Sequence, residues 1–318
     1  MSRQHPRVVA LGGGHGLAAS LQALRRVTPH VTAVVTVADD GGSSGRLRDE
    51  MGALPPGDLR MALSALAGDD DWGRRWGDLL QHRFTGDGPL AGHAVGNLVL
   101  AGLAQVEGDP VAALDLVGRM IGAVGRVLPM SCDPLEIVAE VVGLDPAEPS
   151  GVSEVVGQVA VATTEGSVAA VHLRPTEPVA CPQAVEAVRE ADWVVFGPGS
   201  WFTSVLPHLL VPDLRTALVT TSARRLVALN LEAQAGETDG FSPEAHLEVL
   251  AAHAPELVPD VVLADVDAVV DARGLMAAVE AAGGRLELAP VSLGDGTARH
   301  DPARLAVAYA RVMQVAQP

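Results

Sequence analysis

The sequence predicts an α/β fold: a Rossmann-like, largely parallel sheet with helices on both faces and a helical insertion at about residues 55–125. Three observations carry this. Short β-branched apolar runs alternate with segments of helical period along the chain. The first apolar run, Val8 to Leu11, leads straight into Gly12-Gly13-Gly14-His15-Gly16, after which Leu17, Leu21 and Leu24 recur at helical spacing. Trp193 to Phe196 repeats the arrangement and leads into Gly197-Pro198-Gly199-Ser200. A strand that turns through glycines into a helix opens a parallel βα unit.

The elements follow in order. Val31 to Val37 is the second strand, ending in Asp39-Asp40-Gly41-Gly42-Ser43-Ser44-Gly45. Helices are expected over Gly57 to Leu66, Trp72 to Phe84, His93 to Val106 and Pro110 to Ile121, with Gly and Asp punctuating their ends. Arg126 to Leu128, Leu135 to Val142, Val155 to Ala162 and Val168 to Leu173 read as strands, and Leu144 to Gly151 as a loop. Val185 to Glu190 ends a helix, and another starts near Phe202 after the strand Trp193 to Phe196. Leu214 to Thr220 and Val227 to Leu231 read as strands, followed by a polar loop from Asn230 to Ser242. Val261 to Leu263 and Arg285 to Leu288 are later strands, and a helix from Pro302 to Val315 closes the chain. The 318 residues read as one α/β domain with no internal repeat.

Composition excludes several functions. With aromatics at 3%, the core must be built from Ala, Val and Leu. A net charge of -17 repels nucleic acid and anionic membrane surfaces. All 22 basic residues are arginine, so neither a Walker A lysine nor a Schiff-base lysine exists. Cys132 and Cys181 form no CxxC motif, so no zinc or redox centre is expected. No signal-peptide core and no membrane span is visible, which places the chain in the cytoplasm. The HExxH motif is absent, and no catalytic residue or metal site is assigned.

The candidate ligand-binding residues lie on loops. Gly12, Gly13, Gly14, His15 and Gly16 sit at a strand-to-helix turn, where backbone N–H groups favour a phosphate. A tight turn without ligand is the plain alternative. Asp39 and Asp40 stand where an acid bonds ribose hydroxyls in such a unit. One can bind sugar while the other caps a turn or holds a divalent cation. Gly41, Gly42, Ser43 and Ser44 continue that loop, and Arg46 is placed to complement phosphate. His93 and Asn97 share a helix face, where the Asn97 amide can read a base or sugar edge. Gly197, Pro198, Gly199, Ser200 and Thr203 form the second glycine turn with hydroxyl donors. Asn230, Gln234, Glu237, Thr238 and Asp239 suit a hydroxyl-rich ligand, and Arg299 can reach an anionic group.

These strings, in this order, resemble the YvcK family of gluconeogenesis factors, within the CofD-like superfamily. The resemblance rests on Gly12 to Leu17, the long run Val37 to Arg48, Pro55-Pro56-Gly57-Asp58-Leu59-Arg60, Gly92-His93-x-x-Gly96-Asn97, Gly197 to Ser200 and Asn230 to Gly240. It implies a sensor of UDP-sugars, notably UDP-N-acetylglucosamine, acting on cell shape and cell-wall synthesis during gluconeogenic growth. It also implies a protein partner in wall synthesis, and no cofactor. A homo-oligomer is compatible with it. This chain departs from the family at His15, at Glu232-Ala233 and at Ala235, and its one tyrosine is Tyr309. Trp201 and Phe202 are the aromatic residues left to stack on uracil. The rival reading is a CofD-like 2-phospho-L-lactate transferase using a nucleotide-activated donor, with Asp39, Asp40 and Asp58 on Mg²⁺. A dinucleotide oxidoreductase is the third reading, against which the glycine spacing speaks.

Overall fold

The computed structural model describes residues 5–315 apart from 235 and 239. It opens with β1 (Val8–Gly12), α1 (Gly14–Leu24) and β2 (Val31–Val35). Every residue of β1 is buried, as expected of a parallel strand covered on both faces. β1 and β2 pair in parallel, from Val8 opposite Val31 to Gly12 opposite Val35. Helices α2 (Gly42–Met51), α3 (Pro56–Leu66), α4 (Asp71–Gln81), α5 (Val95–Glu107) and α6 (Pro110–Met120) fill the stretch before β3 (Arg126–Pro129).

A separate small sheet follows, built from β4 (Glu136–Val142), β5 (Val152–Val156) and, beyond α7 (Gln158–Ala162), β6 (Ser167–Arg174). It is antiparallel, in the order β5-β4-β6. The strand expected over Val155 to Ala162 is therefore broken. Gly157 takes a φ of +102°, and the chain beyond it winds into the single turn of α7. Glycine alone takes that φ at little cost. A β-carbon there would also stand 2.1 Å from the Asp40 carboxylate.

The chain then returns to the main sheet through α8 (Pro182–Glu190) and β7 (Trp193–Phe196). The helix expected near Phe202 is a wide turn, Trp201–Val205, running into a tight one, Leu206–Leu210. Pro207 has no N–H with which to continue a regular ladder. The expected strand at Leu214 to Thr220 is instead α9 (Pro212–Thr220). Leu214, Ala217 and Leu218 form its buried stripe. Thr216 and Thr220 donate their hydroxyls back to the Pro212 and Thr216 carbonyls, which suits these β-branched residues to a helix. β8 (Arg224–Ala228), α10 (Pro243–His253), β9 (Val261–Asp265), α11 (Ala272–Ala281), β10 (Arg285–Ala289) and α12 (Pro302–Met313) complete the chain.

The main sheet has seven strands in the order β10-β9-β8-β7-β1-β2-β3, and every neighbouring pair is parallel. The order runs outward in both directions from the β1–β7 pair. That pair is a topological switch point, where the loops leave the sheet to opposite sides and open a crevice. Both glycine loops, Gly12 to Gly16 and Gly197 to Ser200, lie at it. α12 covers α1, and Tyr309 is fully buried there with its hydroxyl 2.9 Å from Ser20 Oγ. Among the described residues, no helix is long and apolar enough to cross a membrane.

Candidate functional site

The crevice floor is made by the two glycine loops in contact. A β-carbon on Gly16 would stand 2.3 Å from the Pro198 carbonyl oxygen, so only glycine lets α1 approach the second loop. Gly13 caps α1 in extended conformation, with no side-chain cap and no acid in the first turn. The positive end of this helix therefore faces the crevice without a neutralising side chain of its own first turn. Asn230, beyond β8, clamps the second loop. Its Oδ1 accepts from the Gly199 N–H at 2.9 Å, and its Nδ2 donates to the Gly199 carbonyl at 2.8 Å. Nδ2 also lies 3.4 Å from Gln234 Oε1.

Above this floor is a cleft of ≈ 610 Å³, lined by His15, Gly16, Pro198, Gly199, Asn230, Gln234 and Arg299 among others. His15 and Arg299 are exposed at its rim. The segment from Leu293 to Pro302 contributes the outer wall, including His300, whose pKa burial pushes down. Of that wall, the sequence singled out Arg299 alone.

A carboxyl recess lies on the other side of β1. Asp39 Oδ1 accepts from the Gly41 N–H at 2.9 Å, and Oδ2 lies 2.7 Å from where a Gly57 β-carbon would be. Asp58 lies against Gly13, its Oδ2 2.3 Å from that glycine's β-carbon position. Burial, and then the Asp39 charge, push Asp58 up to about 7, against the pull of the Gly14 N–H and Arg60. Two carboxyls so close suit hydroxyl groups, or a Mg²⁺ completed by ligand phosphates. Asp40 does not join them. Its Oδ1 accepts from the Val159 N–H at 2.9 Å and its Oδ2 faces Gly157, so it holds α7. Successive residues of an extended segment point opposite ways, which separates the two acids. Among the described residues, no group of three or more His, Cys, Asp or Glu side chains is arranged to hold a metal.

Several expected ligand contacts are internal. Ser43 Oγ and His93 Nδ1 are 2.9 Å apart, and Asn97 Nδ2 donates to Ser43 Oγ at 2.9 Å. Arg60 Nε donates to Asn97 Oδ1 at 2.9 Å, and the Arg60 guanidinium also donates to Gln81. His93 and Asn97 are 5% and 1% exposed, and their internal bonds join α2, α3 and α5. Burial, reinforced by the Arg46 charge, pushes the His93 pKa down. Ser44 Oγ accepts from the Gly57 N–H at 3.0 Å. Arg46 donates to the Ala91 carbonyl at 2.9 Å and to the Pro89 carbonyl at 3.4 Å, tying down that loop. Gly41 and Gly42 start α2, Gly42 with a φ of +48°.

The polar loop after Asn230 is likewise anchored. Glu237 is 4% exposed and accepts from Thr203 Oγ1 at 2.6 Å, from the Phe202 N–H at 3.3 Å and from the Ser200 hydroxyl. Thr238 is fully buried, and its Oγ1 accepts from the Gln234 N–H at 2.8 Å. Asp239 lies outside the described residues. Trp201 and Phe202 are each 1% exposed and meet His246 and Phe241 edge-on, so neither is available to stack on a base.

The 2-phospho-L-lactate transferase CofD family matches residues 8–284. The chain belongs to the CofD-like superfamily, in its gluconeogenesis-factor (YvcK) family. A relative from Mycobacterium leprae carrying the gluconeogenesis-factor name is 57% identical over 95% of this chain and 85% of its own. The gluconeogenesis factor of Listeria monocytogenes is 40% identical over 78% of this chain and 74% of its own. A crystal structure of a UPF0052-family protein from Bacillus halodurans superposes with a TM-score of 0.85 at 32% identity, covering 96% of this chain and 99% of that one. The parallel sheet and the glycine loops at its switch point are thus the frame on which this gluconeogenesis-factor chain carries its cleft.

Proposed function

We propose that this gluconeogenesis-factor protein binds a UDP-sugar, UDP-N-acetylglucosamine foremost, and regulates cell-wall synthesis and cell shape during gluconeogenic growth. The observation that supports this reading is the meeting of both glycine loops under one cleft. The glycine turn into α1 and Arg299 suit a diphosphate. The Gln234 amide suits sugar or uracil oxygens. A cleft of ≈ 610 Å³ is of the size that nucleotide-type ligands use. A ligand that takes the Gly199 N–H displaces Asn230 Oδ1 and shifts the loop anchored by Glu237. A protein partner that prefers one loop position then reads the ligand.

The Asp39–Asp58 pair favours a second reading, transfer of a phospholactyl group from a nucleotide-activated donor. There Asp39 and Asp58 would hold Mg²⁺, which supplies Lewis-acid charge to the phosphates when bound. Asp58 would then orient the acceptor hydroxyl.

Calorimetric titration with UDP-N-acetylglucosamine, with NAD and with GDP plus Mg²⁺ separates the readings. The expected result is saturable binding of the UDP-sugar alone, weakened about tenfold in Arg299→Gln by loss of one charge-assisted contact. GDP binding without UDP-sugar binding, with transfer to a deazaflavin acceptor, would establish the transferase instead.

A further inference from the structure

We propose that the open edge of the small sheet docks an extended, basic segment of a partner protein, which adds as a fourth strand beside β5. β5 is an edge strand of this sheet. It runs antiparallel to β4, with Val156 opposite Val138 and Val152 opposite Val142. The Gly157 N–H donates to the Ile137 carbonyl at 2.8 Å, and the Gly143 N–H to the Gly151 carbonyl at 3.4 Å. Hydrogen-bonded pairs alternate along an antiparallel ladder. Ser153 and Val155 therefore turn their backbone groups toward β4, whereas Val152, Glu154 and Val156 turn theirs to the open side.

The same three side chains share the outer face. Val152 and Val156 are 63% and 40% exposed, and the Glu154 side chain 54%. Exposed edges are normally blunted by lysine, proline or a bulge. The sequence of β5, Val-Ser-Glu-Val-Val, has neither residue and a single charge, Glu154, and the sheet's irregularity lies on the far side, between β4 and β6. Such an edge offers main-chain bonds for affinity and alternate side chains for selectivity.

Charge selects the occupant. Glu140 stands directly opposite Glu154, an unfavourable like-charge pair, and Glu136 shares that face. Arg174 pairs with Glu154 at 3.0 Å and Arg48 with Glu136 at 3.2 Å, while no ion pair among the described residues reaches Glu140. The Arg174–Glu154 pair is half exposed and therefore weak. A second copy of this chain, itself at -17, would set acid against acid. A basic residue opposite Glu154, flanked at alternate positions by apolar residues over Val152 and Val156, fits the face. The edge is also tied to the loop after β2, because the Asp40 carboxylate accepts from the Val159 N–H of α7, just beyond β5.

The test uses the whole protein and a labelled peptide with the core Val-Thr-Arg-Thr-Val, followed by fluorescence anisotropy. The peptide is expected to saturate, and its Val-Thr-Glu-Thr-Val counterpart to bind at least about tenfold more weakly. Glu154→Pro removes one outward N–H and the charge while keeping the bonds to β4, and is expected to weaken the arginine peptide at least about tenfold. Glu154→Arg is expected to reverse the preference between the two peptides. Equal affinity for both peptides, or an arginine peptide indifferent to both variants, overturns the proposal. So does a dimer in sedimentation that Glu154→Pro dissociates, because a second copy would then occupy the edge.

Discussion

The two sides of β1 treat similar residues in opposite ways. On the β2 side, Ser43, His93, Asn97 and Arg60 bond one another and are all nearly sealed from solvent. On the β7 side, His15 and Arg299 are exposed, and Asn230 and Gln234 line an open cleft. Both sides are drawn from the same vocabulary of Gly, Ser, Asn, His and Arg. Burial, not residue type, divides the closed network from the open cleft. A buried polar group that already has its partners cannot serve a ligand without breaking a bond.

The largest expected effect tests the closed side. Asn97→Ala leaves Arg60 Nε and Ser43 Oγ short of a partner in the interior, and should cost about 3 kcal/mol in urea unfolding. A loss below about 1 kcal/mol would mean that the network is looser than its geometry, and the contrast would fail.

Asp58 sharpens the contrast through pH. Burial, above all, raises its folded pKa from the ordinary 3.8 to about 7. Between these values the folded state holds more protons than the unfolded one, so this group's contribution falls as pH rises. The loss is complete above about pH 7. Asp58→Asn should therefore gain on the wild type in stability from pH 4 to pH 8, and a parallel pair of pH profiles would refute the placement.

Asp40→Ala gives the smallest effect. It removes the bond to the Val159 N–H and should cost about 1 kcal/mol, as the loss of a helix cap does. UDP-N-acetylglucosamine affinity should stay within about twofold in calorimetry. A tenfold loss would return Asp40 to the ligand.

The fold was largely legible because it rests on local signals. Val8 to Leu11 followed by glycines and by Leu17, Leu21 and Leu24 has one reading, a strand turning into a helix. Leu214 to Thr220 misled because its β-branched residues favour strands, whereas the helix is chosen by the burial of Leu214, Ala217 and Leu218. The break at Gly157 was hidden for a similar reason. An apolar run continues on both sides of it, and only the Asp40 carboxylate across the fold shows why the chain turns. The site was legible as a set of loops but not as a set of contacts. Glu237 reads in the sequence as a ligand-facing acid, whereas in the fold Thr203, Ser200 and the Phe202 N–H surround it.

By itself the sequence determined the βαβ opening, the two glycine turns, the absence of lysine chemistry and the acidic surface, since each depends on residue identity or near-neighbour spacing. Only the tertiary structure decided that β7 lies beside β1, which brings Gly197 to Ser200 against Gly16 and makes one cleft of two distant loops. It also decided that Asp39 and Asp40 part company. Strand order and side-chain partnership are settled by packing between segments far apart in the chain, and no local pattern records which partner a polar group will meet.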